Sequence, residues 1–164
     1  MKYALLLLVP FLAACGNPQK NELAPGTPGG RATGRIGGST WTASSAVARP
    51  TASGYDVVVA GMGEQINCSS QYPTQAYLSF LVPNQLGRYE FDLANPSNSS
   101  SPVFLYFPFP GGADVVTSRT SVVELRSISS LSLSGAVFAE SSQAGSRSGS
   151  VSGSFEAVIC GTPL

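Results

Sequence analysis

No histidine occurs in this chain of 164 residues, and its two lysines, Lys2 and Lys20, both fall within the first 20 positions. Without imidazole, Ser-His-Asp and Cys-His nucleophile systems are excluded, as are the usual zinc sites. A Ser-Lys pair would have to recruit Lys20 from a stretch punctuated by proline and glycine. Charge is scarce as well: nine basic and nine acidic residues make up 11% of the chain, and neither sign clusters. The basic stripe that a nucleic-acid partner requires is therefore missing. The three cysteines form no C-x-x-C, so the close redox pair is absent too. No P-loop or dinucleotide fingerprint occurs, because Gly34-Arg35-Ile36-Gly37-Gly38 lacks the strand-turn-helix setting they need.

What is present starts with the parts of an export signal. Lys2 supplies the positive charge, and Leu5 to Leu8 with Val9, Phe11 and Leu12 supply the apolar stretch. The run from Tyr3 to Ala14 is roughly half the ~20 residues of a membrane-spanning helix, and Pro10 interrupts it. It ends Leu12-Ala13-Ala14-Cys15-Gly16, which resembles the lipobox of bacterial lipoproteins. The resemblance implies that residues 1–14 are removed and that Cys15 becomes a lipid-modified first residue. Each buried CH₂ contributes ~0.8 kcal/mol, so two or three acyl chains, palmitate among them, would hold the protein on a membrane. In that family an aspartate after the cysteine favours the inner membrane. Gly16 stands there instead, which implies the outer membrane in a host with two. From Cys15 onward eight basic residues face nine acidic ones, a net charge of −1.

With Cys15 given to lipid, Cys68 and Cys160 remain as one even pair. An exported pair is expected to bond, closing a loop of about 90 residues and contributing roughly 4 kcal/mol in the chain-entropy account. Two buried thiols or a redox pair are the alternatives.

The stretch 16–35 carries Asn17-Pro18, Pro25-Gly26 and Pro28-Gly29-Gly30 without hydrophobic period, and reads as a flexible tether. From residue 36 to 164 period two takes over, the mark of strands with one buried face. Tyr55, Val57 and Val59 share a face, as do Ala76, Leu78, Phe80 and Val82. Tyr89, Phe91 and Leu93 do the same, then Leu131, Leu133, Gly135, Val137 and Ala139, then Val151, Gly153, Phe155, Ala157 and Ile159. Turn clusters separate them, and no helical stripe follows the signal. The expected fold is all-β: an antiparallel β-sandwich or small β-barrel of about eight strands, the two being indistinguishable by alternation alone.

Trp41, in Gly38-Ser39-Thr40-Trp41-Thr42-Ala43, reads as a core anchor of the first strand or, alternatively, a stacking platform. With the closing Val151-Ser152-Gly153-Ser154-Phe155-Glu156-Ala157 and Cys160, this opening resembles small β-rich bacterial lipoproteins, a resemblance that carries no activity and no site residues. Val103 to Phe109 is apolar on both faces, with Val103, Leu105, Phe107 and Phe109 on one and Phe104, Tyr106 and Pro108 on the other. Such a strand is either covered twice or shows an aromatic face to a partner. Pro102, Pro108 and Pro110 place it at a sheet edge.

Of acid–base chemistry only paired carboxylates remain. Glu90 and Asp92 lie two apart, roughly 7 Å along one strand face, compatible with a glycosidase pair at ~5–9.5 Å but read more simply, with Arg88, as a solvated charged face. Asp56, Asp92 and Asp114 could offer oxygen to calcium, yet no loop has calcium-binding spacing. The expectation is a non-enzymatic envelope lipoprotein with no cofactor and no nucleic acid. It would meet an envelope protein through Phe104 and Tyr106. A barrel carrying a small apolar ligand is the alternative, and a carboxylate-dependent hydrolase comes third.

Overall fold

In the computed structural model, period-two alternation becomes nine strands. The structure describes residues 31–161 apart from Gln71, Ser99, 110–111 and 144–146. The expected signal peptide, lipidated Cys15 and residues 16–30 of the tether lie outside the described residues. In chain order the strands are β1 (Thr33–Ile36), β2 (Ser39–Thr51), β3 (Gly54–Gly61), β4 (Tyr77–Pro83), β5 (Gly87–Asp92), β6 (Val103–Phe109), β7 (Gly112–Ile128), β8 (Ser132–Ser141) and β9 (Gly149–Ile159). One 3₁₀ turn, Pro96–Asn98, interrupts them.

The all-β expectation holds, and the pairings close on themselves. The order is β5-β7-β6-β4-β3-β2-β1-β9-β8, and β8 returns to pair with β7. The result is a ring-like sheet and not a regular barrel, because two short strands are wedged into it. β1 separates β2 from β9 at one end, while further along these two meet directly in a short parallel pairing, Val47 with Val158 and Ala48 with Ile159. β7 is long enough to pair first with β6 and then, along the same edge, with β5. Every other strand ladder is antiparallel.

Local chemistry explains the joints. Gly37 and Gly38, at φ 61° and 78°, make the two-residue turn between paired Ile36 and Ser39, a conformation that L side chains resist. A bulge at Ser44 shifts the register of β2 against β3. In β7 a second bulge falls between Ser118 and Thr120, where its neighbour changes from β6 to β5. The chain there would lose a ladder bond, and two buried serines replace it. Ser118 and Ser121 accept the Val103 N–H at 3.2 and 3.4 Å, and Ser118 donates to Ser121 at 3.0 Å. Buried polar groups need such partners.

Most of the residues that alternation assigned inward join one continuous core, with Trp41, Phe80, Leu78, Leu105 and Leu133 buried at its centre. Phe80 meets Phe155 edge-on at 5.3 Å between ring centroids, a pairing worth roughly 1 kcal/mol beyond its area. The Trp41 indole lies flat against Gly61, where any Cβ would collide with it, and its Nε1 donates to the Ala76 carbonyl at 2.8 Å.

Three expectations change. Leu93 and Leu131 are exposed, because β5 ends at Asp92 and β8 starts only at Ser132. Residues 31–35, grouped by composition with the tether, carry a fully buried Ala32 and most of β1. The proline-rich β6 is no edge strand: β4 and β7 flank it. Its ladder with β4 ends at Tyr106–Tyr77, however, so Pro108 lies beyond the last β4 pair and costs that ladder nothing.

Candidate functional site

The side chains that point outward from β2, β3, β4, β6 and β7 form rows fixed by register. One row runs Ser45, Ala60, Tyr77, Tyr106, Val115, and the next runs Val47, Val58, Ser79, Phe104, Thr117. A third begins Arg49, Asp56, Leu81. In an antiparallel sheet such an outward face is commonly polar. Here it holds a second apolar cluster of Val47, Val58, Tyr77 and Cys160, with Ile66 and Tyr106 packed against it.

What covers this cluster is the β3–β4 connection, 62–76. Its neck is closed by one carboxylate. Glu64 accepts the backbone N–H of Thr74 at 2.8 Å and of Gln75 at 2.9 Å, and the Thr74 hydroxyl at 3.1 Å. Burial pushes this carboxyl up, but those hydrogen bonds to Thr74 and Gln75 together hold it below the usual carboxylate range. The β2 bulge turns both Ser44 and Ser45 hydroxyls onto the Glu64 carbonyl, and Ser45 also accepts the Ile66 N–H at 2.9 Å. The loop tip is an internal turn, in which the Asn67 carboxamide oxygen accepts the Ser69 and Ser70 N–H groups. Arg49 Nη2 then donates to the Ser70 carbonyl at 2.7 Å. Cys68 is bonded to Cys160 with Cα atoms 5.2 Å apart, which tethers the tip to the end of β9. The expected cysteine pairing is thus the one that folds the loop over the sheet.

The loop brings a third tyrosine to two already paired on the sheet. Tyr77 and Tyr106 stack nearly parallel with centroids 4.1 Å apart, and Tyr72 stacks on Tyr77 at 6.0 Å. The Arg49 guanidinium lies 5.6 Å from the Tyr72 ring centroid. Burial first, then the neighbouring tyrosines and Asp56, raise the Tyr77 phenol well above its ordinary range. Burial, Tyr72 and Asp56 raise Tyr106 likewise. Both phenols are therefore neutral hydrogen-bonding groups at any physiological pH. Ser79 donates to Asp56 Oδ1 at 3.2 Å, holding that carboxylate beside the stack. Tyr72, stacked on Tyr77, and Val115, paired with Tyr106, are each about half exposed at the stack, and Leu81, equally exposed, lies two rows along β4 from Tyr77.

Phe104 and Tyr106, predicted from sequence as an interaction surface, both belong to this face and both are half-buried. The strand that carries them has its other face, Val103, Leu105 and Phe107, in the core. The sequence reading missed Tyr72 and Arg49 entirely. Tyr77 carried a signal: between inward Ala76 and Leu78, it is an aromatic in the outward phase.

The carboxylate pair lies elsewhere, on the outer side of β5. Glu90 pairs with exposed Arg88. Asp92 accepts the Ala94 N–H at 2.9 Å and the Asn95 amide at 3.0 Å; the Asn95 bond first and the Ala94 bond second hold its carboxyl low. A general acid needs the opposite shift. Asp114 is paired with Arg147 at 2.8 Å. Among the described residues, no three histidine, cysteine or acidic side chains gather as metal ligands, and no helix is long and apolar enough to cross a membrane. No family model, no curated protein and no solved structure matches this chain.

Proposed function

We propose that this chain is a bacterial envelope lipoprotein, anchored through acylated Cys15, whose β-domain is a protein-interaction module. The contact surface is the outer face around Phe104, Tyr106 and Tyr72. The observation that carries this reading is the tyrosine stack itself. Three phenols, an arginine and a carboxylate are gathered on a sheet face that alternation would otherwise leave polar. Tyrosine and arginine are the residues in which interfaces concentrate binding energy, since each joins a large apolar body to a polar tip. The Cys68–Cys160 bond supports export, because such bonds persist in oxidising compartments.

The position of the core argues against the carrier. The interior that an apolar ligand would need is occupied by Trp41, Phe80, Phe155, Leu78, Leu105 and Leu133. Asp92 and Glu90 give the hydrolase reading no support, since one caps a turn and the other is bound to Arg88.

The test is a double substitution, Phe104→Ser with Tyr106→Ser, in the full chain in its host. Loss of partner capture with the circular dichroism spectrum and the disulfide retained supports the reading. Undiminished capture removes this face as the contact surface.

A further inference from the structure

We propose that the tip of the β3–β4 loop, carrying Ile66, Cys68, Ser70 and Tyr72, is a redox-latched lid over the outer apolar cluster, released when a dithiol reduces the Cys68–Cys160 bond. The argument rests on how unequally the loop is held. Its neck has its own fastenings, the Glu64 carboxylate to Thr74 and Gln75 and the Trp41 indole to the Ala76 carbonyl, none of which involves the disulfide. The turn inside the tip is closed by bonds between Asn67 and Ser70 and from the Ser69 N–H to the Asn67 carboxamide, so it can move as a unit. Between tip and sheet stand the disulfide, the Arg49–Ser70 bond, the Ser45–Ile66 bond and the contacts of Tyr72. The disulfide is the only covalent one.

The two sulfurs are also unlike. Cys68 is exposed on the moving side, whereas Cys160 is buried and its backbone N–H is fixed to the Ala48 carbonyl at 2.9 Å. Exchange therefore starts at Cys68, since attack requires access. One thiolate of the dithiol attacks the Cys68 sulfur, forms a mixed disulfide and expels the Cys160 sulfur. The second thiolate then closes on the first and frees Cys68. The dithiol is oxidised by two electrons to its cyclic disulfide, and the two protons it gives up end on the two protein thiols. The sheet stays closed, because β9 keeps its full ladder with β8 and its pairs with β1. What changes is the cover over Val47, Val58 and Tyr77. Lid release needs no partner, so this inference can fail or hold separately from the interaction reading.

Hydrogen exchange on the full chain in detergent, oxidised and after dithiothreitol, tests it. Exchange at the Ile66 amide, whose bond to Ser45 crosses from tip to sheet, should rise at least tenfold on reduction, while β8 and β9 stay within twofold. Cys68 should then alkylate at least tenfold faster than Cys160. Unchanged loop exchange would overturn the lid, and so would loss of protection across the whole sheet, which would make the bond a staple of the fold. Cys68→Ser should show the open-loop pattern without reductant. If it folds and keeps the oxidised pattern, the latch is refuted. If it does not fold, the reduced wild-type protein decides.

Discussion

Trp41→Phe is the substitution for which the structure yields the clearest number. The indole is buried, and its Nε1 donates across the chain to the Ala76 carbonyl at 2.8 Å. Phenylalanine keeps most of the apolar body but leaves that carbonyl buried without its donor, a loss of about 1–3 kcal/mol. The missing part of the indole leaves a void costing about 1 kcal/mol more. Together these predict destabilisation of about 2–4 kcal/mol in urea unfolding, followed by circular dichroism with the disulfide intact. Gly61→Ala checks the same contact from the other side. Its Cβ would lie 2.0 Å from Nε1, so strand or ring must shift, at about 1–3 kcal/mol. Because phenylalanine removes Nε1, part of the clash disappears in the double variant. Its loss should fall short of the sum of the singles by about 1 kcal/mol. A Trp41→Phe effect below about 1 kcal/mol, or strict additivity, would refute the packing described for this corner.

The other predictions concern charge, anchor and face. Glu64 should titrate below the usual carboxylate range in a carbon-detected NMR titration. Its contribution to the loop neck is thus present above the unfolded value near 4.3 and is lost as pH falls through the lower folded value; a midpoint at or above 4.3 contradicts the neck. Glu64→Gln should raise exchange at the Thr74 and Gln75 amides roughly tenfold, reflecting about 1–2 kcal/mol of local opening from lost charge-assisted bonds, with β3 unaffected. The N-terminal peptide of membrane-derived protein should begin at Cys15 and carry two or three acyl chains; an unprocessed Met1 or an unmodified Cys15 contradicts the anchor.

How far the sequence reached depended on the range of the signal. Strand faces follow from a period of two within a few residues, so Tyr55 to Val59, Ala76 to Val82, Leu133 to Ala139 and Val151 to Ile159 were all legible. Leu93 and Leu131 were misplaced because alternation continues past a strand's last hydrogen bond. β7 was harder still: it is polar, and two bulges break its phase. The outer face was half legible. Phe104 and Tyr106 stood out because they share one strand. Tyr77, Tyr72 and Arg49 join them only through register and a loop return, and neither leaves a trace in local spacing. Pairing Cys68 with Cys160 followed from counting, but that the bond folds a loop over the face did not.

The central claim is that the face around Phe104 and Tyr106 is where this protein meets a partner. Site-specific photocrosslinking in the host tests it most directly, with the photoreactive side chain placed at Val115, paired with Tyr106, or at Leu81, one row along β4 from the Ser79–Phe104 pair, and at Leu131, between β7 and β8, as an exposed control. The account predicts one discrete adduct from both Val115 and Leu81, none from Leu131, and its loss when Phe104 and Tyr106 are changed to serine. Equal crosslinking from all three positions, or an adduct that survives the serine substitutions, would contradict it.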